Sequence, residues 1–428
     1  MPTMPNFTSN RFISFFLRQD AGQIRIDDEY YLRPPQKKLI YRILAYLMTF
    51  MAMGDQELWG FRNCKNSVFK INRVLVLWYA PISLVFQIVF LFANYEKLTF
   101  ETMGIIFIIL PVSILINIEL FIAQMKKYKE ILKGFFTEVH LFYFKEHDAF
   151  TKTVLLRAER YVFLLMCSFV LLVVVDGFLW VIIPVFSNLK NKELILNKKR
   201  TFLTGIYLWL PFDYLYNYRN WQIVHTVNVF VMIYSSILLA FGNSIHLCII
   251  FHLIGHIKIL KYKIESPKWN ELSQEEVKNI LVDILKYHAF IKGIKNVLQD
   301  VFGLSIGGIY LLNLFVDSLI LYQLMMGGTD SVAIYALMVF NLMFELIVIS
   351  FIIEELRIQT DDISDIIYSI PWEDMSIPNK KTILMMLAQA QTPLMFKAAA
   401  GIKTGVQPMI DIFKATFSYY VMLKSTIE

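Results

Sequence analysis

The C-terminal segment carries its polar side chains on one side of an otherwise apolar helix. At about 100° per residue, most of them fall within an arc of about 80°. A lysine or aspartate at the bilayer centre costs at least ~2.5 kcal/mol, so the arc should face water or polar protein. Several copies around an axis could then enclose an ion pathway. The predicted pore-lining residues on this arc are Gln407, Asp411, Lys414, Ser418, Met422 and Ser425.

Charged residues in apolar segments also permit a structural interpretation. Asp411 and Lys414 are three positions apart and could pair within one packed helix, so the arc alone leaves a pore and a packed bundle open. Asp176, within "LLVVVDGFLW", suits either a cationic ligand or a hydrogen bond between helices. Three further isolated acids are interpreted as helix-packing groups: Glu119, Asp317 and Glu345.

The remaining reactive side chains do not predict an enzyme or a cofactor. The chain has seven histidines. His252 and His256 are four positions apart, but no second histidine box accompanies them. No phosphate-binding loop, nucleophile elbow or zinc motif is present. Three scattered cysteines indicate ordinary thiols rather than a disulfide framework. We expect no metal, no cofactor and no nucleic-acid partner.

The elements that carry these residues are predicted to be membrane-spanning helices. Hydrophobic residues make up 57% of the 428 residues, only 18% are charged, and the mean hydropathy is +0.52. Six runs reach the roughly 20 apolar residues that a span needs: 74–93, 103–123, 161–186, 227–251, 301–326 and 332–353. Residues 405–424 form a weaker seventh, and 39–53 is a shorter segment expected at the membrane interface.

Basic residues predict how these spans are oriented. With the N-terminus inside, the cytoplasmic segments hold 32 of the 41 lysines and arginines, which favours an extracellular C-terminus. The fold class is therefore an all-α membrane protein with seven transmembrane helices and a cytoplasmic helical anchor domain. Its predicted parts are a cytoplasmic segment 1–70 with the interfacial helix, spans one to four in 71–256 with the extracellular loop 187–226, anchor helices 257–300, spans five and six in 301–357, a cytoplasmic linker and helix 358–403, and the pore helix 404–428.

Four segments resemble the insect odorant receptor family. They are "TFSYYVMLKS" at the end, "YLWLPFDYLYNYRNWQ" in the long outer loop, "LKYHAFIKGIKNVLQDVF" before the fifth span, and "IYSIPWEDMSIPNKKTILMMLAQAQTPL" before the seventh. The resemblance implies an odorant-gated, non-selective cation channel that forms a tetramer with the co-receptor Orco in olfactory dendrites. It also implies a gate near Met422 and Thr426. Because loop 252–300 lacks the co-receptor's large insertion, this chain resembles a tuning subunit.

The resemblance further implies an odorant pocket in the outer half of spans two, three, four and six. Apolar walls with a few polar groups suit a small volatile ligand, and an ester or terpenoid is our guess. Each candidate could equally be ordinary core. The candidate ligand-binding residues are Met103, Phe107, Val174, Gly177, Phe178, Val181, Phe230, Tyr234, Tyr335 and Met338.

Other classes of membrane protein fit less well. A G-protein-coupled receptor needs its C-terminus inside, and a transporter should show matching broken helices in two halves. A gustatory receptor channel, which would be a homotetramer, is the nearest alternative. A seven-helix receptor without channel activity is the other.

Overall fold

The chain folds into a bundle of long helices. The computed structural model describes residues 28–61, 67–145, 148–326 and 332–425, and within these ranges it contains no β-strand beyond one isolated bridge between Lys397 and Lys403. The main helices are α1 (Leu39–Phe50), α2 (Ser67–Asn94), α3 (Phe100–Gln124), α4 (Lys126–Gly134), α5 (Ala149–Lys190), α6 (Tyr218–Glu265), α7 (Gln274–Met326), α8 (Val332–Asp361), α9 (Ile377–Ala390) and α10 (Val406–Ser425).

Short helical turns connect these elements. The short α-helices are Asp28–Tyr31, Lys192–Leu196 and Ile363–Tyr368, and a π-helical turn covers Phe135–Val139. The 3₁₀ turns are Pro35–Lys37, Gln56–Trp59, Tyr95–Lys97, Leu141–Phe144, Trp269–Glu271, Trp372–Asp374 and Ala399–Gly401.

Side-chain caps fix where several helices begin. Thr99 caps α3, and Asp148 caps α5 by accepting from the backbone N–H of Thr151. A capping box begins α7: the Ser273 N–H donates to Glu276 Oε2 at 2.8 Å, and the Glu276 N–H donates back to Ser273 Oγ at 3.4 Å. Such reciprocal bonds satisfy two of the N–H groups that a helix start leaves free.

The six strong spans and the weaker seventh all lie in helices, which confirms a seven-helix, all-α membrane fold. Among the described residues, six helices, α2, α3 and α5 to α8, are long and apolar enough to cross a membrane. The first and third, α2 and α5, bury only 17% of their most apolar window, whereas α6 buries 78%. The bundle is therefore built around α6, and α2 and α5 present their apolar faces outward. The last helix, α10, packs against α7 and α8.

Two of the spanning helices run well beyond the predicted apolar runs. Helix α6 continues without a break to Glu265, and α7 begins at Gln274, 27 residues before the predicted fifth span at 301. The two extensions contact each other, since His256 Nδ1 of α6 lies 2.7 Å from the Tyr287 hydroxyl of α7, and α9 packs against α7. The connection between α6 and α7 is short. The membrane orientation and the domain boundaries stay predictions.

The interfacial segment forms α1, which packs on the bundle with one face. Tyr41, Leu44 and Met48 are buried, whereas Leu39, Ile43 and Tyr46 are exposed. Residues 1–27 and Thr426 lie outside the described residues.

Candidate functional site

A groove lies in the outer wall of the bundle, between α2, α3 and α6. Helix α2 rests mainly on α3 and leaves a gap toward α6, and this gap holds a cavity of about 350 Å³. That volume is within the range of small-molecule sites. The groove is lined by Met51, Asn72, Leu75, Val76, Tyr79, Ala80, Ser83, Gln87, Ser113, Ile116, Asn117, Leu120, Ile206, Val227, Phe230, Val231, Tyr234, Ser235 and Leu238.

The wall of the groove is apolar but contains bonded polar groups. The Gln87 amide and the Ser113 hydroxyl pair across α2 and α3 at 3.0 Å, and the Tyr234 hydroxyl donates to Asn72 Oδ1 at 2.8 Å. Asn117 donates to the carbonyl of Ser113 at 2.8 Å. None of the lining side chains carries a formal charge. The site therefore suits a neutral ligand, because an unpaired charge buried here would cost several kcal/mol.

The structure distributes the ten predicted ligand-binding residues over several environments. Phe230 and Tyr234 line the groove. Val174 and Phe178 are exposed on α5, while Tyr335 and Met338 are buried in the core. The other side chains, those of Met103, Phe107 and Val181, are partly buried, as is Gly177. The pocket between spans two, three, four and six stays a prediction.

Gly177 allows a close approach between α5 and α6. A Cβ at this position would lie 2.7 Å from Ser236 Oγ, so the absent side chain is explained by helix packing. Gly177 is also one of the candidate ligand-binding residues, and that role stays a prediction.

Sequence reasoning missed the groove residues of α2 and α3. Asn72, Ser83 and Gln87 recur along one side of α2 at helical spacing, and Ser113 and Asn117 do the same on α3. The polar-arc argument used for the last helix would have found them. The apolar runs of α2 and α3 were instead interpreted as ordinary spans, because most of their residues are apolar.

The polar arc of α10 faces away from the rest of its own bundle. The described members of the arc are all exposed in the single chain, whereas Met409 and Thr416 on the opposite face are buried. Gln407 donates to Asp411 Oδ1 at 3.1 Å, and Lys414 Nζ lies 4.0 Å from the same carboxylate. The Asp411–Lys414 ion pair within the helix and the outward-facing polar arc are thus both present.

A buried ionic cluster joins the N-terminal segment to the base of α5 and α6. Glu159 Oε1 lies 2.8 Å from Lys38 Nζ, 2.8 Å from His140 Nε2 and 3.6 Å from His252 Nε2. Tyr41 donates to the same oxygen at 3.2 Å. Burial lowers the pKa of Lys38 against the opposing effect of the Glu159 carboxylate. It also lowers the pKa of His140 well below its usual value.

His140, Glu159 and His252 have the spacing of metal ligands, with donor atoms within 4.8 Å of one another, but their chemistry does not suit a metal. His140 Nδ1 accepts a hydrogen bond from the backbone N–H of Phe142, and His252 Nδ1 accepts one from the backbone N–H of Leu141. The proton of each neutral ring therefore sits on Nε2, which points toward the carboxylate. The Lys38 ammonium already supplies the cation.

Two of the intramembrane acids bond across helices, as the packing interpretation predicts. Ser305 on α7 donates to Glu119 on α3, and Asn243 on α6 donates to Glu345 on α8. Asp317 on α7 is fully buried, and its carboxylate has no hydrogen-bond partner within the described parts of the chain.

The long apolar helices define a multi-pass, all-helical membrane protein. The profile described as "7tm Odorant receptor" matches residues 98–417. The chain therefore belongs to the odorant receptor family.

Individual relatives are distant. Odorant receptor 2a of Drosophila melanogaster is 20% identical over 229 residues, covering 50% of this chain and 58% of that protein. Putative odorant receptor 85d of the same organism is 19% identical over 220 residues, covering 51% and 53%. The matched region thus spans little more than half the length of these curated relatives.

The fold itself is shared with a solved structure. The insect olfactory receptor OR5 from Machilis hrabei superposes with a TM-score of 0.70 at 15% identity, covering 89% of this chain and 96% of that chain. The same receptor in complex with eugenol also gives a TM-score of 0.70 at 15% identity, with coverage of 90% and 98%.

Proposed function

We propose that this chain is the tuning subunit of an odorant-gated, non-selective cation channel. It would assemble as a heterotetramer with the co-receptor Orco in the plasma membrane of olfactory dendrites. Membership of the odorant receptor family and the shared receptor fold support an odorant as the ligand that opens the channel. The proposed channel activity rests on the polar face of α10. This face is exposed, whereas the opposite face of the helix is buried.

An energetic argument links that polar face to an oligomer. In an isolated subunit, Asp411 and Lys414 would meet hydrocarbon, at a cost of at least ~2.5 kcal/mol each near the bilayer centre. Several copies of α10 around an axis would place the same groups in water. The gate implied at Met422 fits this arrangement, because Met422 is exposed on the same arc.

The cytoplasmic helices offer a surface for that assembly. Ile377, Leu384 and Met385 on α9 are 71%, 67% and 58% exposed, although α9 lies in the predicted cytoplasmic part. Apolar side chains clustered outside the membrane mark interaction surfaces. We propose that α9 contacts a neighbouring subunit.

The proposed gating is a population shift. A bound odorant can open the channel only by the difference in its affinity for the open and closed states. Moving a channel from 1:99 to 99:1 needs about 5.5 kcal/mol. A small volatile with a modest difference in affinity, bound in one pocket, would therefore open the channel only in part. Full opening would need several subunits to be occupied.

The testing experiment is current recording from cells that express the chain with and without the co-receptor, against an odour panel. The proposal predicts odour-evoked cation currents only with both subunits. Equal currents from this chain alone would favour a homotetramer of the gustatory type. Surface expression of both subunits without any odour-evoked current would favour a receptor without channel activity.

A further inference from the structure

We propose that the groove between α2, α3 and α6 is a second ligand site, distinct from the predicted pocket of spans two, three, four and six. It would take a neutral, elongated volatile with an apolar body and one hydrogen-bond-accepting oxygen, and the ligand would reach it from the membrane. This inference rests on the proposed odorant function.

The groove is open sideways and covered at its outer end. Leu75, Val227 and Phe230 line it and are 59%, 42% and 60% exposed, so they form a mouth on the lipid-facing surface. At the outer end, the backbone N–H of Trp209 donates to the carbonyl of Phe86 at 3.0 Å, and the loop residue Ile206 closes the wall. Access from the hydrocarbon is therefore more direct than access from water.

The shape of the groove favours an elongated ligand. Its lining along α2 extends over the fifteen steps from Asn72 to Gln87, which is about 22 Å of helix. With a volume of about 350 Å³, such a space is narrow for its length. An extended aliphatic chain fills it better than a compact polycyclic molecule.

The polar groups of the wall specify the ligand's oxygen. Most are already paired, and the Tyr79 hydroxyl, which also has no partner among the described residues, is enclosed in the wall. The Ser235 hydroxyl on α6 forms no hydrogen bond within the described residues and is not fully enclosed. It can therefore donate to an ester, ketone or aldehyde oxygen. The absence of charged lining side chains excludes a fatty acid or an amine in its ionised form.

The neighbouring serine supplies a matched control. Ser236 approaches Gly177 of α5 and so lies toward the predicted pocket, whereas Ser235 lines the groove. We expect Ser235→Ala to weaken activation by alkyl acetates about three- to tenfold, as expected for the loss of one neutral hydrogen bond. Ser236→Ala should leave their potency within about twofold, and a co-receptor agonist should be unaffected by both variants. A larger loss of alkyl acetate potency in Ser236→Ala than in Ser235→Ala would overturn the inference.

Blocking the mouth provides a second variant that does not depend on the oxygen. Leu75→Trp adds bulk at the mouth, and Leu171→Trp makes the same exchange on the exposed face of α5. Only the first should lower alkyl acetate potency. Equal effects of the two exchanges would contradict a lateral route.

Direct labelling separates this inference from the channel proposal. The purified complex would be labelled with an alkyl acetate that bears a terminal diazirine, and the modified peptides mapped by mass spectrometry. Labels on α2, α3 and α6 that unmodified acetate displaces are the expected result. Labels confined to α5 and α8, labels that acetate cannot displace because lipid holds the groove, or no label would overturn the inference. A groove that labels in a complex without odour-evoked currents would instead contradict the proposed channel.

Discussion

At the scale of single residues, the Lys38–Glu159 pair shows how a buried charge holds the N-terminal segment. Lys38 has no exposed surface, and Glu159 is only 3% exposed. Removing one partner of a buried pair leaves the other charge uncompensated. We expect Lys38→Met to lower the free energy of unfolding by about 3–5 kcal/mol. The neighbouring Lys37 is exposed, so Lys37→Met should change the free energy of unfolding by less than about 0.5 kcal/mol. Thermal unfolding of the detergent-solubilised chain, followed by size-exclusion chromatography, would compare the two. Similar losses would show that the pair does not stabilise the fold.

A second residue-scale prediction concerns the charge of the pore arc. Lys414→Glu replaces a positive by a negative group on the exposed face of α10. If the arc faces the ion pathway, cation permeability relative to anions should rise and rectification should change, because the local potential attracts cations. Lys192→Glu makes the same change at an exposed position of the short helix Lys192–Leu196 and should leave permeation unchanged. Reversal-potential measurements on assembled channels test this. Unaltered permeation in Lys414→Glu would support the packed-bundle interpretation.

At the scale of elements, the start of α10 depends on a glycine that no other residue replaces without strain. Gly405 has a φ of +115°, and a Cβ there would lie 2.6 Å from Glu354 Oε2. Its N–H donates to the Tyr310 hydroxyl at 3.1 Å, which ties α10 to α7. We expect Gly405→Ala to cost at least about 1 kcal/mol and to shift the odour concentration for half-maximal current. Gly293→Ala in the middle of α7 meets no atom within 4 Å and should be neutral or stabilising by about 0.5–1 kcal/mol. Equal stability and gating in the two variants would contradict this role of Gly405.

At the scale of elements, features with a local sequence signal are predictable, whereas features that depend on how distant helices pack are not. Long apolar runs are local signals, and they predicted the spanning helices. The gap between α2 and α6 is not local, because it depends on how three helices pack. The ion cluster was also missed, because Lys38, His140 and His252 meet at Glu159 only after folding. Two of the predicted residues, Phe230 and Tyr234, line the groove, but none was predicted on its α2 and α3 walls, and the predicted pocket itself stays a prediction.

At the scale of the whole molecule, two predicted properties can be tested directly: the orientation of the chain in the membrane and its assembly. The excess of basic residues in the predicted cytoplasmic segments favours an inside N-terminus and an outside C-terminus. Antibodies applied to intact cells should therefore reach a C-terminal tag and miss an N-terminal one. Permeabilised cells, in which both tags should be labelled, are the control. The opposite pattern would reverse the topology.

Assembly should depend on the exposed face of α9. Leu384→Asp places a charge on the proposed subunit contact, where Leu384 is 67% exposed in the single chain. We expect loss of the tetramer with little loss of folding, since the exchange leaves the core untouched. Thr382→Asp on the same helix is the polar control. Native electrophoresis of the co-expressed complex would measure both. An intact tetramer in Leu384→Asp would exclude this surface as an essential contact.

The most direct test of the channel account is a cysteine scan of α10 in assembled, odour-activated channels. A charged, water-soluble thiol reagent should rapidly change the current when cysteine replaces Gln407, Asp411, Ser418 or Met422. It should act slowly or not at all at Met409 and Thr416, which are buried. Channels with only the native cysteines give the background. Modification confined to the buried face, or equal at all six positions, would contradict an ion pathway lined by the polar face of α10.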